Sequence, residues 1–413
     1  MEFDFINFII ATAATLISFS WVFKIRDEVK KVYIIVIAVF FYFYCGVTSF
    51  YVNSNHYLLY YVIYTIGFGF SLKIFNNYSI KIPGLSNDKL SKFTHKFYWV
   101  FIAIFIIYNL LPLVYPINKV GLLFNPPAPN VTLGIEEQVK GHTISASLGY
   151  ILIIFFYYSL SPLVKKPIKL FLILFFIEYI SYVSNAYISR GGILRIFVLF
   201  VLVLYFNYPN KRKLILTVSL TSLLFLIFFF AIYISLRLGV ESDLDNLSSA
   251  IESISNVEFT FSLFFDYLIS LNRSEFGRYL WWLISLPLPG FMKFGSADYL
   301  LNLEYTETML HVSRYSSNFF VVLPGLAIEG VYSFGKYLYP LHALLFGFTL
   351  SVFFNTLRKY SAFSVLCLYY IIDIPLRGIR AGSISFYPTV YKLIPIFLLT
   401  LIILTKIKNK NLK

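Results

Sequence analysis

Phe5-Ile-Asn-Phe-Ile-Ile-Ala-Thr-Ala-Ala-Thr-Leu-Ile-Ser-Phe-Ser-Trp-Val-Phe23 contains no charged side chain, and it ends against the basic stretch Lys24–Lys31. A helix of that length rises about 30 Å, the thickness of a bilayer hydrocarbon core. Glu2 and Asp4 precede it where a secretory signal would place basic residues, and no small-residue cleavage site follows. The run is therefore expected to be a retained membrane span and not a signal peptide.

Working outward, the same signature recurs along the chain. Apolar runs fall near 5–23, 32–52, 57–75, 97–117, 143–164, 168–188, 193–208, 214–236, 337–357, 361–376 and 385–405. The expected fold is all-α: a polytopic integral membrane protein of about eleven transmembrane helices forming one membrane domain over 1–413. Composition agrees, because 59% of the 413 residues are hydrophobic and only 13% charged. A soluble domain carries roughly 25% charged residues, so this chain has too few to clothe a water-facing surface. Cys45 and Cys367 both lie inside apolar runs, which points to packing and not to a disulfide framework.

The net charge of +14 is read through topology and not as an affinity for nucleic acid. Every second connection is lysine-rich: Lys24–Lys31, Lys73–Lys96, Lys165–Lys169, Lys211–Lys213, Arg358–Lys359 and Lys406–Lys413. Together they hold 21 of the 34 basic residues, which places them in the cytoplasm. The N-terminus is then periplasmic and the C-terminus cytoplasmic, in a bacterial inner membrane. An extra span at 319–335 would invert the end of the chain, so that segment is expected to be re-entrant or interfacial. Residues 237–336 then form a large periplasmic loop subdomain between the eighth and ninth spans, and a connection that long is usually functional.

Arginine breaks the pattern. Arg190, Arg195, Arg237, Arg273, Arg278, Arg314, Arg377 and Arg380, eight of the eleven, fall on the expected outer side. A guanidinium is a planar, permanent fork for phosphate or carboxylate, so such a cluster suggests an anionic ligand such as a lipid pyrophosphate or an acidic glycan. The competing explanations are pairing with Glu241, Asp243, Asp245, Glu252 or Glu258, or snorkelling to headgroups. Arg190 and Arg195 sit at a near loopless junction, Tyr187-Ile-Ser-Arg-Gly-Gly-Ile-Leu-Arg195, after a polar stripe of Glu178, Ser181, Tyr182, Asn185 and Ser189. Arginine near hydrocarbon needs a partner or a ligand, and a membrane Glu such as Glu178 is a functional candidate by default. Arg377 and Arg380 follow Asp373-Ile-Pro-Leu, and Gly378 and Gly382 flank them.

At these residues the chain resembles the bacterial O-antigen polymerase (Wzy) family, within the wider polymerase and ligase group. The resemblance rests on Ser189-Arg190-Gly191-Gly192 at an outer helix junction, on the large loop before the last spans, and on Glu329-Gly-Val-Tyr-Ser-Phe334-Gly335 near its end. The related ligases carry His-Asn there, whereas His311 is followed by Val312. The resemblance implies metal-independent glycosyl transfer without a cofactor, from an undecaprenyl-pyrophosphate-linked oligosaccharide to a lipid-linked repeat unit in the periplasmic leaflet. Arg190, Arg195, Arg273, Arg278, Arg314, Arg377 and Arg380 would bind pyrophosphate or glycan and stabilise leaving-group charge. Glu329, then His311, would assist deprotonation of the acceptor. Tyr279, Trp281, Trp282 and Tyr315 are candidate sugar-stacking residues. Expected partners are the lipid-linked glycan, membrane lipids and a chain-length-regulating membrane protein, with no nucleic acid.

Four other classes compete, of which an acyltransferase is the least expected because the sequence offers no histidine-centred pattern in a span. A metal-dependent transferase wants an early outer acidic pair, and Asn53-Ser-Asn-His56 has none, which leaves only Glu136-Glu137 and Asp243 with Asp245. A flippase or transporter predicts deep charges in several helices and internal repeats. A ligase to lipid A core would share both donor and topology.

Overall fold

The computed structural model describes residues 4–50, 55–80, 95–110, 120–125, 156, 159–185, 190–222, 225–226, 275–286, 303–304, 307, 311, 313, 315–316, 325–358 and 364–391. Among them 89% are helical and none lies in a strand. The principal helices are α1 (Phe5–Phe19), α2 (Glu28–Phe41), α3 (Asn55–Ile74), α4 (Tyr98–Leu110), α5 (Pro167–Asn185), α6 (Arg190–Asn207), α7 (Phe276–Ser285), α8 (Leu326–Arg358) and α9 (Ser364–Ala381).

Four segments among the described residues are long and apolar enough to cross a membrane: Phe5–Lys24, Glu28–Phe50, Tyr57–Ile74 and Leu326–Arg358. They overlie four of the expected runs. Helices α4, α5, α6 and α9 overlie four more, while 143–164, 214–236 and 385–405 lie mostly outside the described residues.

The charged residues that bound these runs start the helices. Asp4 accepts from the amides of Ile6 and Asn7 at 2.9 and 3.2 Å, and Asp27 accepts from that of Lys30 at 3.2 Å. Each is an N-cap that satisfies donors a helix leaves open at its start. The second expected run does not stay regular. After Phe41 it widens into a π turn at Tyr42–Gly46 and tightens into a 3-10 turn at Val47–Phe50. The changed winding frees carbonyls, and the Tyr57 hydroxyl donates to that of Cys45 at 2.7 Å.

By internal contacts the chain forms two units. The first is Met1–Lys81, Ser255–Leu357 and Tyr370–Ile394; the second is Ile82–Ile254, Arg358–Tyr369 and Pro395–Lys413. In the first, α1 crosses α3 where a β-carbon on Gly69 would lie 2.7 Å from the Ser18 carbonyl. Beside that crossing Thr15 and Tyr61 share a 2.7 Å hydrogen bond. On another side of α3, Ser71 donates to the Leu344 carbonyl at 2.6 Å and packs on Gly347 of α8. Small residues at crossings and hydroxyls donated between helices are how membrane helices associate when hydrophobicity gives no preference for protein over lipid. Aromatic rings fill the space between, with Tyr33 stacked on Phe354 at 4.1 Å.

In the second unit Leu110, Ile180 and Val183 form a small core of α4 and α5, joined by Tyr179 and Tyr182. Tyr179 donates to the Leu123 carbonyl at 2.6 Å, and the Asn207 amide donates to that of Val164 at 2.6 Å.

Helix α8 is not one straight rod. Gly335 sits at φ 74°, ψ 175°, outside helical geometry, and divides it into arms over 326–334 and 336–358. Glu329 and His342 show the consequence. Thirteen residues of continuous helix would separate them by about 20 Å, yet their side chains approach to 3.8 Å. The first arm folds back on the second. A backbone at this φ and ψ is almost restricted to glycine, so Gly335 is what permits the reversal. Leu326 through Gly335 are all buried.

Candidate functional site

The fold-back brings a polar network into the first unit's interior. Glu329, His342, Ser333 and Ser383 have no exposed surface. Glu329 lies on the first arm one turn after Gly325. Its Oε1 accepts from the Ser383 hydroxyl at 2.7 Å, and its Oε2 accepts from the Ser383 amide in a short bond. Oε2 also faces His342 Nε2, while the Tyr64 hydroxyl and His342 Nδ1 are 2.8 Å apart. When Tyr64 donates to Nδ1, the ring carries its proton on Nε2, directed at the carboxylate. Tyr279 of α7 closes the far side, its hydroxyl 3.1 Å from that of Ser383.

Backbone geometry sets this arrangement. Gly382, at φ 84°, ends α9 and turns the Ser383 amide toward Glu329. A β-carbon on Gly382 would lie 2.6 Å from Glu329 Oε2, so only a bare backbone reaches the carboxylate this closely. Gly330 is equally confined, between Tyr64 and His342.

Three of the expected arginines stand on elements that meet here. Arg278 of α7, one residue before Tyr279, binds Glu304 at 2.9 Å and approaches Glu275 to 3.9 Å. Burial alone would weaken its charge, but the bonded Glu304 carboxylate, together with Tyr332 and Glu275 beside it, outweighs that and holds the guanidinium above its ordinary value. Tyr332 of the first arm donates to the other Glu304 oxygen in a short bond. Arg377 and Arg380 lie in the last turns of α9, just before Gly382 and Ser383. Arg377 pairs with Asp373 at 3.1 Å, its own side chain half exposed. The Arg380 guanidinium sits 5.9 Å from the ring centre of Tyr44.

The remaining expected residues are placed differently. Arg190 and Arg195 fall in the first two turns of α6, in the second unit. Arg273 and Arg314 lie outside the described residues. His311 is exposed and adopts φ 52°. Tyr279 and Trp282, expected to offer open faces for sugars, are instead buried at 1% and 7% exposure, because α7 turns them against Phe334 and Tyr387. Trp281 and Tyr315 are exposed. Glu329 is held by Ser383 and faces His342.

Sequence reasoning missed His342, Tyr64 and Ser383. His342 was read as part of the apolar run 337–357. The available signal was a histidine at a helical position in a span, preceded by a Glu and a Gly on the same segment. Among the described residues no cluster of three or more His, Cys, Asp or Glu has the arrangement to hold a metal ion.

Fold and site together define a helical protein with segments long and apolar enough to cross a membrane, and with a carboxylate and an imidazole sealed inside one unit. No protein-family profile, curated protein or solved structure matches the chain.

Proposed function

We propose that this chain is a membrane glycosyltransferase that polymerises lipid-linked repeat units, as its resemblance to the O-antigen polymerases implies. In this reading it has eleven spans, with the N-terminus and residues 237–336 in the periplasm of a bacterial inner membrane. The observation that carries the proposal is the convergence of the elements bearing Arg278, Arg377 and Arg380 on the Glu329–Ser383 contact.

The chemistry follows from the donor. The acceptor hydroxyl oxygen forms a bond to C1 of the growing chain as the C1–O bond to pyrophosphate breaks. Undecaprenyl pyrophosphate leaves with the bonding pair, and the acceptor proton passes to a base. Negative charge builds on the leaving oxygens, where fixed guanidinium groups lower the barrier. Glu329 has no exposed surface and is engaged through both oxygens. We therefore assign it a positioning role, holding the arginine-bearing end of α9, and leave the acceptor proton to a group open to substrate, with His311 the exposed candidate.

Reconstitution with synthetic lipid-linked repeat units in the presence of EDTA tests this reading. A ladder of products is expected, and Arg377→Lys should slow chain growth by about tenfold or more if the planar fork matters. An unchanged ladder with Arg278→Lys and Arg377→Lys combined, at normal protein levels, removes the arginines from the mechanism. His311→Ala separates the roles further, since loss of rate without loss of stability is expected only of an exposed base.

A second reading has its own support. A buried Glu–His pair beside a break in a membrane-length helix is a pattern of transporters. A flippase predicts that a knockout accumulates unflipped repeat units, and a polymerase that single capped units persist. A ligase predicts accumulated lipid-linked chains with no surface glycan.

A further inference from the structure

The turn after α1, the start of α2 and the end of α3 border an open cavity of about 440 Å³ whose lining includes Trp21, Lys24, Arg26, Asp27, Lys30, Lys73 and Asn76. Four of these side chains are cations and one is an anion. Asp27 is already committed as the N-cap of α2.

Lys30 is the unusual member. It is 8% exposed, and its ammonium donates to the Asn76 carbonyl in a short bond and to Asn77 Oδ1 at 3.3 Å. Both acceptors are neutral. A cation withdrawn from water is stabilised by a counter-charge, and neutral carbonyls supply only part of one.

Two further groups point the same way. The Trp21 indole Nε1 and the Asn76 side-chain Oδ1 are both buried without a hydrogen-bond partner, and both residues line this cavity. Most buried polar atoms find partners, so two orphans in one charged cavity call for an account. An indole N–H donates and never accepts, so it suits an anion oxygen. The Asn76 amide offers an acceptor, or a donor when turned over, to the hydroxyl or oxygen of the same ligand.

We propose that this cavity is a binding site for a phosphate-bearing anion, seated between Lys24, Arg26, Lys30 and Lys73 with the Trp21 indole donating to a phosphate oxygen. The site stands on different residues from the Glu329 network and does not depend on the glycosyltransferase reading. Its position at helix ends that form membrane-length segments suits an acidic phospholipid headgroup, since basic pockets between such ends bind anionic lipids. A soluble phosphate compound offers the same chemistry, and the experiment separates the two.

The full-length protein is reconstituted in nanodiscs of phosphatidylcholine with increasing phosphatidylglycerol. Binding is read by native mass spectrometry and by thermal stability, with inorganic phosphate and pyrophosphate titrated in parallel. Removing one lysine or arginine weakens binding by about fivefold, so the triple variant Lys24→Gln, Arg26→Gln, Lys73→Gln should lose about a hundredfold. These three side chains are exposed, so the variant is expected to fold. Trp21→Phe keeps every charge and removes one donor to an anion, which should weaken binding by about tenfold.

The control variant Lys165→Gln, Lys166→Gln, Lys211→Gln removes the same charge from exposed positions of the second unit and should bind as wild type does. Retention of phosphatidylglycerol that soluble phosphate does not displace identifies a lipid headgroup. Saturable stabilisation by inorganic phosphate or pyrophosphate alone identifies a soluble ligand in the same site. Equal losses in the cavity and control variants, or no effect of either Trp21→Phe or the cavity triple, overturn the proposal.

Discussion

At the residue scale, Glu329 carries the most structural consequence. Both of its oxygens receive hydrogen bonds from Ser383, so Glu329→Gln turns an amide N–H2 toward a donor. That mismatch should cost about 1–3 kcal/mol, read as a lower melting temperature in detergent. Gly382→Ala should cost about as much or more, because it combines strain at a positive φ with a 2.6 Å clash against Oε2. The two variants disturb one contact, so their effects should combine to less than the sum, and a double-mutant cycle checks this. Fully additive losses would mean that Gly382 acts elsewhere. Glu329 and the Arg377–Arg380 pair were legible because charge is rare in so apolar a chain. Tyr64 and Ser383 were not, because a hydroxyl in a membrane helix has no distinguishing local pattern and its partner lies far along the sequence.

Glycine also separates roles at the scale of the element. Gly277 in α7 has nothing within 4 Å of an added β-carbon. Gly277→Ala should therefore stabilise α7 by up to about 1 kcal/mol through helix propensity alone. Gly335→Ala should instead be strongly destabilising, since the reversal in α8 rests on a conformation that alanine avoids. Parallel melts of the two variants make the contrast, and a harmless Gly335→Ala would mean that the arms do not depend on this reversal. The apolar runs gave the existence of the helices because periodicity and length carry that signal. They hid the winding of 42–50 and the fold-back at Gly335, since hydropathy averages over backbone direction. Lys30 was hidden in a similar way. It was counted with a solvated basic loop, yet the helix begun by Asp27 turns it inward beneath Asn76.

At the scale of the whole molecule, the proposed chemistry depends on sidedness. In a background lacking Cys45 and Cys367, single cysteines at Lys211 and Arg377 should react with a membrane-impermeant maleimide from opposite sides. Lys211 should label only after the membrane is opened to the cytoplasm, and Arg377 in intact spheroplasts. Labelling of both from one side would overturn the arrangement of spans read from lysine bias. Lys24, Arg26, Lys30 and Lys73, from the connections that follow α1 and α3 and the start of α2, line one pocket of the first unit. Arg278 and Arg377 each have an acidic neighbour, so under the proposed function an anionic donor displaces Glu304 or shares the guanidinium with Asp373.

The reversal at Gly335 also bears on how the chain is assembled. Glu329 leaves the ribosome 54 residues ahead of Ser383, whose amide and hydroxyl both donate to it. At synthesis rates of about 5–20 residues per second, that is an interval of roughly 3–10 s. During it the first arm carries a carboxylate that hydrocarbon does not accept alone. The contact between Glu329 and Ser383 can therefore close only once the end of α9 has arrived. Maturation of the interior is in this sense a late event, timed by the emergence of a single serine.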